Sequence, residues 1–330
     1  MKALVTGGGG FLGKAIVEQL LDEGREVRSF SRGDYPELRE MGVETMRGDI
    51  ADARAVAKAV EGCDVVYHVA AKAGVWGPFE EYYRPNVMGT ENVIDACRIH
   101  DVSKLVYTSS PSVVYGDKPL RGVDESVDYP DEYLTAYPET KAVAEKKVLK
   151  ANTTSLKTVA LRPHLIWGPG DNHLVPRIVD RARRGKLKKV GDGEAVVDTV
   201  YIDDAARAHL LAEDALSEGR ACGKVYFITQ GEPMAIGEII DRIVDQAGLE
   251  PVEAQVPAKV AYGVGWMMEM AYKLIRKREE PLMTRFVAKQ LSTDHYFDIT
   301  AAREDLGYEP EYTIDEGMEK LGEWIRKSGI

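Results

Sequence analysis

Residues 5–13 read VTGGGGFLG and lie between a short apolar run at residues 2–5 and a helical pattern over residues 13–23. The chain must turn sharply at this point, and glycine permits the positive φ angles and the close backbone approach that such a turn requires. The helix that follows presents free N–H groups and a partial positive charge at its N-terminus. The stretch therefore predicts a cradle for the phosphates of a dinucleotide. Its expected contact residues are Gly7, Gly10, Phe11, Leu12 and Gly13.

The first two-thirds of the chain alternates short apolar or β-branched runs with helical patterns. The strand-like runs are residues 2–5, 26–29, 43–46, 65–68, 104–107 and 158–162. The helical stretches between them are residues 13–23, 51–60, 86–100 and 138–151. Strands that alternate with helices in this way pair in parallel through right-handed crossovers. The pattern predicts an α/β fold with a doubly wound parallel sheet, which binds ligands beyond the carboxyl ends of its strands.

The pattern changes near residue 170, after which Gly- and Pro-rich loops separate the helices. We expect residues 1–170 to form a dinucleotide-binding Rossmann domain that holds the catalytic residues, and residues 171–330 to form a smaller substrate-binding lobe. A helix over residues 201–214 is expected to pack back on the sheet, so that residues 197–214 return to the first domain. Short strands are predicted in the lobe at residues 188–190, 197–201 and 225–228.

Residues 258–275 read AKVAYGVGWMMEMAYKLI and form an apolar helical pattern that carries Lys259, Glu269 and Lys273. Such a helix either faces an apolar substrate channel or lies on a membrane surface. Alternatively, it is an amphipathic helix that covers the core, a role typical of its gap-filling methionines. Association with a membrane, or with other enzymes of a pathway, is compatible with the first interpretation.

The chain has 330 residues and a net charge of −11, from 43 basic and 54 acidic residues, which argues against a nucleic-acid-binding surface. Its three cysteines, Cys63, Cys97 and Cys222, are widely spaced and odd in number, so neither a disulfide framework nor a metal site is expected. The N-terminal apolar run is too short for a signal peptide, and no stretch reaches ~18 uncharged apolar residues. We therefore expect a cytoplasmic protein without a membrane-spanning helix.

The residues that end the second predicted strand select the dinucleotide. In proteins that bind NAD, an acidic residue near this position binds the ribose hydroxyls. Here Ser31 and Arg32 occupy the position. A carboxylate would repel a 2′-phosphate, whereas a hydroxyl and a guanidinium group bind one. The sequence therefore favours NADP(H).

Two further stretches are expected beside the dinucleotide. Asp49 and Ile50 end the third strand. Asp49 either accepts a hydrogen bond from the adenine amino group, with Ile50 packed on the ring, or caps the helix that follows. After the fourth strand, Ala70 and Ala71 leave room for the ribose and nicotinamide, and Lys72 follows them with a side chain more typical of a solvated lysine than of a ligand.

The motif YPETK places Tyr137 and Lys141 four residues apart, on one face of a helix. A tyrosine has an ordinary pKa of about 10 and populates little phenolate near neutral pH. A fixed ammonium group nearby lowers that pKa. The pair is therefore suited to moving a proton to or from a carbonyl or alcohol oxygen.

Other polar residues follow the predicted strands. Ser110 follows the fifth strand and is expected to hydrogen-bond the substrate oxygen, with Ser109 and Ser112 as alternatives; these serines could instead cap backbone groups. Asn86 begins the predicted helix and either holds a water or a backbone group beside the lysine or caps that helix. His164 follows the sixth strand and either contacts the substrate carboxylate or the nicotinamide, or is a packed histidine.

In their order along the chain these motifs resemble the extended short-chain dehydrogenase/reductase superfamily, over residues 1 to about 214. In that family a serine, a tyrosine and a lysine are catalytic and an asparagine lies in the active site. They match Ser110, Tyr137, Lys141 and Asn86. The matching stretches are TGGGGFLG, AAKAG, NVMGTENV, YTSSPSV, YPETK, LRPHLIWGPGD and VYIDDAARAH.

The proline of YPETK resembles the 3β-hydroxysteroid dehydrogenase-like branch of this superfamily. The stretches VGDG, DTVYIDDAA and PLMTRF extend the resemblance, nearly end to end, to bacterial reductases of 2-alkyl-3-oxoalkanoates in long-chain olefin synthesis. The resemblance implies NADPH-dependent reduction of the 3-keto group of a long-chain β-keto acid, an apolar substrate with a carboxylate. It also implies that Pro163 contacts the coenzyme, and that the protein is a homodimer.

Three other functions are considered against these residues. A steroid or sterol-4α-carboxylate 3β-dehydrogenase would use the same catalytic set. A protein that senses NADP(H) without turnover would not need the pair of Tyr137 and Lys141. A sugar-nucleotide epimerase would prefer NAD, which Ser31 and Arg32 disfavour.

Overall fold

The computed structural model describes residues 1–329. Its strands are β1 (Lys2–Thr6), β2 (Glu26–Ser31), β3 (Glu44–Arg47), β4 (Val65–His68), β5 (Lys104–Thr108), β6 (Leu120–Val123), β7 (Lys157–Pro163), β8 (Ile166–Trp167), β9 (Lys189–Val190), β10 (Val196–Val197), β11 (Val200–Tyr201), β12 (Val225–Ile228), β13 (Met234–Ala235), β14 (Gln255–Val256) and β15 (His295–Phe297). Its α-helices are α1 (Phe11–Asp22), α2 (Pro36–Glu40), α3 (Ala53–Val60), α4 (Phe79–Tyr83), α5 (Gly89–Ile99), α6 (Ala136–Lys150), α7 (Leu174–Arg183), α8 (Ile202–Glu218), α9 (Ile236–Gln246), α10 (Ala258–Leu274), α11 (Arg285–Gln290) and α12 (Ile314–Ser328).

The central element is a seven-stranded sheet in the order β12-β7-β5-β4-β1-β2-β3, and every neighbouring pair in it is parallel. Successive side chains of a strand point to opposite faces, so β1 contributes to two cores. Ala3 and Val5 lie in one core, and Leu4 lies in the other. Because helices cover both faces, β4 is buried along its whole length. The predicted doubly wound α/β fold is confirmed.

Helix α8 packs on one face of this sheet, beside α1. Ala205, Ala208 and Ala212 are buried in the same core as Ile16 of α1. The side-chain amide of Gln19 donates a hydrogen bond to the carbonyl of Asp203 at 2.9 Å. Small residues on α8 allow the close approach, and the helix extends past the predicted residue 214 to Glu218.

The sequence placed residues 225–228 in the C-terminal lobe, and this placement was wrong. Strand β12 pairs in parallel with β7, with Val225 opposite Ala160 and Ile228 opposite Pro163. The pairing covers the edge of β7 and buries Phe227 completely. A short apolar strand carries no local sign of its partner, so only the tertiary structure reveals this seventh strand.

The C-terminal part contains three small sheets, in the orders β13-β10-β15-β6, β11-β8 and β14-β9. The strand predicted over residues 197–201 is two short strands, β10 and β11, separated by two polar residues. Asp198 accepts a hydrogen bond from the backbone N–H of Phe297 at 2.8 Å, and Thr199 accepts one from the indole of Trp167 at 2.9 Å. Both side chains are buried, and these bonds interrupt the ladder.

The helix predicted over residues 86–100 begins earlier, at Phe79, and continues through a π-helical turn, Arg84–Met88, into α5. Pro85 lies in this turn and lacks a backbone N–H, which favours a local departure from α-helical hydrogen bonding. Asn86 therefore lies inside a continuous helical segment. The interpretation of Asn86 as an N-terminal cap was wrong.

Helix α10 ends at Leu274, one residue before the predicted end. Ala261 packs in a small cluster with Val190 and Ala288, apart from the two main cores. Helix α10 therefore covers a small core cluster and not the two main cores. Within residues 1–329, no helix is both long enough and apolar enough to cross a bilayer.

Candidate active site

The glycine-rich turn has the geometry that a phosphate cradle requires. Gly7 has a φ of 74°, and a β carbon there would lie 3.1 Å from the backbone of Ala70. A β carbon on Gly13 would collide with the carbonyl of Gly7, so this glycine lets α1 pack against β1. Among residues 1–329 no side chain caps α1 at Gly10, so the first N–H groups of the helix point toward the turn without a side-chain partner.

A cleft of about 810 Å³ extends from this turn along the carboxyl ends of the parallel strands to the start of α6. All but one of the predicted coenzyme contacts line it. These are Gly7, Gly10, Phe11, Leu12, Gly13, Ser31, Arg32, Asp49, Ile50, Ala70, Ala71, Lys72, Tyr137 and Lys141. The exception is Pro163, which is buried in β7 opposite Ile228; the nearby wall residue is Ile166.

Sequence reasoning missed several residues of this cleft, among them Tyr35, Thr108 and Asp171. Asp171 is buried, and its carboxylate accepts hydrogen bonds from the backbone N–H groups of His173 at 2.7 Å and Val175 at 2.8 Å. It thereby fixes the start of α7 against the cleft. An aspartate shortly before a helical pattern is a recognisable signal for such a cap.

The end of β2 fits a phosphate group. The hydroxyl oxygen of Ser31 is buried and has no hydrogen-bond partner in the described chain, residues 1–329. Arg32 follows at the rim, and the side chain of Arg47 donates to the Arg32 carbonyl at 3.4 Å. Because a buried hydroxyl without a partner is costly, this one marks a place where a ligand oxygen would be bound.

Asp49 does not cap the helix that follows, so that interpretation was wrong. Asp52 caps α3 and accepts from the N–H groups of two residues in its first turn. The Asp49 carboxylate accepts instead from the N–H of Ala51 at 3.0 Å and pairs with Arg84 at 3.2 Å. Asp49 and Ile50 remain on the cleft wall, where adenine contacts are predicted.

The loop after β4 is held against β1 by Thr6, which the sequence analysis did not identify. The Thr6 hydroxyl accepts hydrogen bonds from the N–H groups of Val69 and Ala70, both at 3.1 Å. It also bonds to His68 at 2.8 Å, and the other ring nitrogen of His68 bonds to Thr90 at 3.0 Å. Burial lowers the pKa of His68 to about 3, so the ring is neutral and adds no charge beside the cleft.

Asn86 connects the same loop to α6. Its side-chain oxygen accepts from the N–H of Lys72 at 2.7 Å, and its side-chain nitrogen donates to the Lys72 carbonyl at 3.1 Å and to Thr140 at 3.0 Å. Asn86 thus holds a backbone group, which is one of its two predicted roles. The ammonium of Lys72 pairs with Glu81 at 2.6 Å.

Replacing Asn86 with alanine is expected to lower the free energy of unfolding by about 2 kcal/mol, because it removes the partners of the part-buried N–H and carbonyl of Lys72. The loosened loop should also raise the Kd for the coenzyme. Urea unfolding and fluorescence titration measure the two effects. The matched control is Lys72→Ala, which removes a partly exposed ion pair worth at most about 1 kcal/mol. Equal losses in both variants would contradict this role of Asn86.

Ser110 is the serine beside the candidate acid. Tyr137 lies at the inner end of the cleft, where burial raises its pKa above the usual value near 10 and the neighbouring Ser110 hydroxyl opposes that rise. Ser110 also bonds to the hydroxyl of Ser112 at 2.9 Å and accepts from its N–H at 3.2 Å. The hydroxyl of Ser109 is buried without a partner in residues 1–329. Ser110 therefore lies beside Tyr137, as predicted. It also caps a backbone N–H group, which was the alternative role.

Lys141 is buried, at 2% exposure, and its ammonium donates to the carbonyl of Thr108 at 2.6 Å, above the ring of Tyr107. Burial lowers the pKa of Lys141 to about 7. The Lys141 ammonium does not lower the Tyr137 pKa, contrary to the prediction. The group that opposes the rise of this pKa is the Ser110 hydroxyl. The phenol therefore stays protonated at neutral pH, as a proton donor requires.

His164 is buried behind the site, and both ring nitrogens have partners inside the protein. Nδ1 lies 2.6 Å from the carboxylate of Asp198, and Nε2 lies 2.8 Å from the hydroxyl of Tyr115. His295 completes the cluster, 3.2 Å from His164. These contacts support the packed histidine rather than a direct ligand. Tyr115 and His295 form one wall of a second, smaller pocket.

The sequence profile of the 3-beta hydroxysteroid dehydrogenase/isomerase family matches residues 4–257, which include the glycine cradle and the site around Tyr137. The chain belongs to this family. Two relatives, each named 2-alkyl-3-oxoalkanoate reductase, cover 97% of the chain. The relative from Shewanella oneidensis is 51% identical and is covered over 85% of its length; that from Stenotrophomonas maltophilia is 50% identical and is covered over 98%.

Among solved structures, that of MoeE5 in complex with UDP-glucose and NAD superposes on this member of the 3-beta hydroxysteroid dehydrogenase/isomerase family with a TM-score of 0.78. The two sequences are 26% identical, and the match covers 100% of each chain. The family, the relatives and this neighbour identify the chain as a nicotinamide-coenzyme-dependent oxidoreductase of the extended short-chain dehydrogenase/reductase type. This confirms the enzyme class that the motifs predicted.

Proposed function

We propose that this enzyme reduces the C3 ketone of a 2-alkyl-3-oxoalkanoate to the 3-hydroxy acid with NADPH. The observation that carries the proposal is the placement of a protonated phenol, Tyr137, beside the Ser110 hydroxyl at the inner end of the coenzyme cleft. The names of the relatives that are 51% and 50% identical supply the substrate class. The product carries a hydroxyl β to a carboxylate, a pattern suited to later olefin formation.

The residues of the chain have distinct roles in this reaction. When bound, the nicotinamide supplies a hydride. Tyr137 donates the proton to the ketone oxygen, and Ser110 orients that oxygen by hydrogen bonding. Lys141, fixed by the Thr108 carbonyl, places a titratable ammonium on the same helix face, four residues from Tyr137. Burial raises the pKa of Tyr137, so the phenol carries the proton that ketone reduction requires of its donor near neutral pH.

The second pocket, of about 130 Å³, is the candidate for the apolar part of the substrate. It lies where the start of α6 meets α11 and β15, and it includes Pro138, the residue after Tyr137. Its apolar and aromatic lining comprises Tyr115, Leu120, Tyr133, Leu134, Pro138 and Phe286. Lys118 and Lys289 are the basic residues of the lining. Lys289 already pairs with Asp117 at 2.8 Å, so Lys118 is the candidate for binding the substrate carboxylate.

The preference for NADPH rests on the end of β2. The unpartnered hydroxyl of Ser31, with Arg32 and Arg47 nearby, offers donors to a 2′-phosphate and no carboxylate to repel it. The neighbouring acid, Asp34, is paired with Arg39. An aspartate at position 31 would instead accept from ribose hydroxyls.

Replacing Ser31 with aspartate is therefore expected to invert coenzyme preference. Each lost charge-assisted bond corresponds to about 1.5–3 kcal/mol, so kcat/KM for NADPH should fall about 10- to 100-fold while that for NADH rises. Arg32→Ala is the companion variant and should lower kcat/KM for NADPH without affecting kcat/KM for NADH. Steady-state kinetics with both coenzymes measure the ratio. A Ser31→Asp variant that keeps the wild-type ratio would contradict the proposed phosphate site.

A substrate panel tests the reaction itself. NADPH oxidation is followed with 2-alkyl-3-oxoalkanoates, a 3-ketosteroid and a UDP-sugar as separate substrates. The expected result is turnover with the β-keto acids, increasing with alkyl chain length. Turnover of the ketosteroid alone would assign the chain to steroid oxidation and reduction, and turnover of no compound would overturn the proposal.

A further inference from the structure

Helix α10 carries an apolar surface that residues 1–329 leave uncovered. Ala261, Gly265 and Glu269 are buried and lie about one turn apart along α10. This side of the helix packs against α11. Gly265 permits the close approach, because a β carbon there would lie 2.6 Å from the backbone of Thr284. The opposite side points outward. Its large exposed apolar side chains, which we call the α10 face, are Val260, Tyr262, Val264, Trp266, Met267, Met270 and Leu274.

The exposure of these side chains is large. Trp266 is 51% exposed, Met267 is 56% exposed and Leu274 is 86% exposed. Isolated apolar residues are common on protein surfaces, but a contiguous row along four turns of one helix is typical of a surface that another molecule covers. The chain itself supplies no such cover among its described residues.

The charges around the α10 face are cationic. Residues 259–278 contain five basic residues and one acidic residue, in a chain whose net charge is −11. The acidic residue, Glu269, is buried and pairs with Arg285 at 2.8 Å, so it does not project from the face. Lys259 and Lys273, near the two ends of α10, are exposed.

The segment after α10 adds one base without an acidic partner in residues 1–329, Arg276, because Lys277 and Arg278 are both paired with acids. Arg276 is exposed. The two acids that follow are each paired with a base: Glu279 lies 2.9 Å from Lys277, and Glu280 lies 2.8 Å from Arg177. The apolar face therefore has a basic border without an unpaired acid on α10 itself.

We propose that the α10 face docks on an anionic lipid bilayer, with the helix axis in the plane of the membrane surface. Interfacial helices combine an apolar side that bears Trp, Met or Leu with lysines and arginines at its border. Tryptophan and tyrosine are enriched at the depth of the lipid headgroups, and basic residues near the surface bind anionic lipids. Trp266, Lys259 and Lys273 have these positions on α10. No helix in residues 1–329 is suited to crossing the bilayer, so the docking is peripheral.

A second copy of the chain fits the α10 face less well. A two-fold interface presents the same residues from both copies. In an antiparallel pair of α10 helices, Lys259 of one copy lies near Lys273 of the other. Like charges then face one another. Glu269, the acidic residue of α10, is buried and does not face these lysines. An anionic bilayer supplies the opposite charge.

Helix α10 and the segment after it are connected to the coenzyme cleft through Trp76. The indole of Trp76 donates a hydrogen bond to the carbonyl of Lys277 at 3.1 Å, and its ring packs edge-on against Tyr272 at 6.1 Å. Trp76 follows the cleft wall formed by residues 70–73 after a short loop. Tyr272 lies on the side of α10 that bears Ala261 and Gly265, so docking places this loop behind the helix, on its side away from the bilayer. Membrane docking of α10 does not depend on the proposed function. Delivery of a long-chain substrate from the bilayer to the site does rest on it.

Sedimentation with sucrose-loaded vesicles tests the docking on the full chain, without any substrate. Vesicles of phosphatidylcholine alone are compared with vesicles that also contain phosphatidylglycerol. We expect binding to the phosphatidylglycerol vesicles that weakens as salt is raised, because the basic border contributes electrostatically. The triple variant Trp266→Ser, Met267→Ser, Met270→Ser should bind at least about tenfold more weakly, because inserted apolar surface is lost.

The matched control is Ile99→Ser, which removes a 68% exposed apolar side chain from the end of α5, outside the α10 face. It should bind vesicles as the wild type does. Thermal unfolding and NADPH titration show whether the variants remain folded, and loss of docking with intact coenzyme binding supports the proposal. Two results overturn it: a wild-type chain that stays in the supernatant, or a triple variant that still sediments. A dimer that the triple variant dissociates, without vesicle binding, would assign the face to a second copy instead.

Discussion

Replacing Tyr137 with phenylalanine is expected to lower kcat for ketone reduction by about 10²- to 10⁴-fold, the range typical of a lost general acid. The phenol is protonated near neutral pH, since burial raises its pKa, and the Ser110 hydroxyl lies beside it. The variant loses only the hydroxyl and keeps the ring that lines the cleft. NADPH affinity should therefore remain close to that of the wild type. Stopped-flow turnover and fluorescence titration measure the two quantities.

The control for Tyr137→Phe is Tyr226→Phe, which removes a hydroxyl that bonds to Asp305 at 2.7 Å, away from the cleft. It should leave kcat nearly unchanged. If Tyr137→Phe retained a kcat within about tenfold of the wild type, Tyr137 would not be the proton donor, because a general acid contributes more than that.

Lys141→Met is expected to reduce activity and at the same time to stabilise the folded protein. Burial lowers the pKa of Lys141 from the ordinary 10.5 to about 7. One pKa unit corresponds to about 1.4 kcal/mol, so burying this ammonium costs a few kcal/mol at neutral pH. Methionine fills a similar volume without the charge. Activity should fall about 10²-fold or more, because the ammonium on the same helix face as Tyr137 is lost from the cleft.

The stability that Lys141→Met gains over the wild type is expected to decrease as the pH rises. A lowered pKa in the folded state means that unfolding takes up a proton between about pH 7 and 10.5. The cost of burial is therefore complete below pH 7 and decreases as the pH rises toward 10.5. The stability advantage of Lys141→Met should be about 2–4 kcal/mol at pH 6, and it should diminish at pH 9.

Urea unfolding of the wild type and Lys141→Met at the two pH values measures this change. Lys146→Met is the control: Lys146 is exposed on the same helix and should show little change at either pH. Lower stability of Lys141→Met than of the wild type at pH 6 would contradict the claim that the buried ammonium is costly.

The sequence was sufficient to predict those parts of the site that depend on local spacing. The turn with Gly7, Gly10 and Gly13 requires small residues at fixed intervals between a strand and a helix. A β carbon on Gly13 would collide with the Gly7 carbonyl, and Gly7 itself has a positive φ of 74°. Tyr137 and Lys141 share a helix face because they are four residues apart. The doubly wound sheet follows from the alternation of strands and helices.

Features that depend on contacts between distant segments could not be predicted in this way. Thr6 binds the loop after β4 only because the parallel sheet brings residues 62 to 64 positions apart into contact. The assignment of Asp49 as a cap failed because Asp52 competes for the same role three residues later. The Tyr137 pKa depends on burial and on Ser110, neither of which the spacing of YPETK reveals.

Hydride transfer to C3 of a 2-alkyl-3-oxoalkanoate is tested most directly with NADPH that carries deuterium at both positions of nicotinamide C4, so that the label is transferred from either face. The purified chain is incubated with a synthetic 2-alkyl-3-oxoalkanoate, and the product is analysed by mass spectrometry. We expect a 2-alkyl-3-hydroxyalkanoate with deuterium at C3, formed by the wild type and not by Tyr137→Phe. A β-keto acid recovered without reduction, or a hydroxy acid without deuterium at C3, would contradict it.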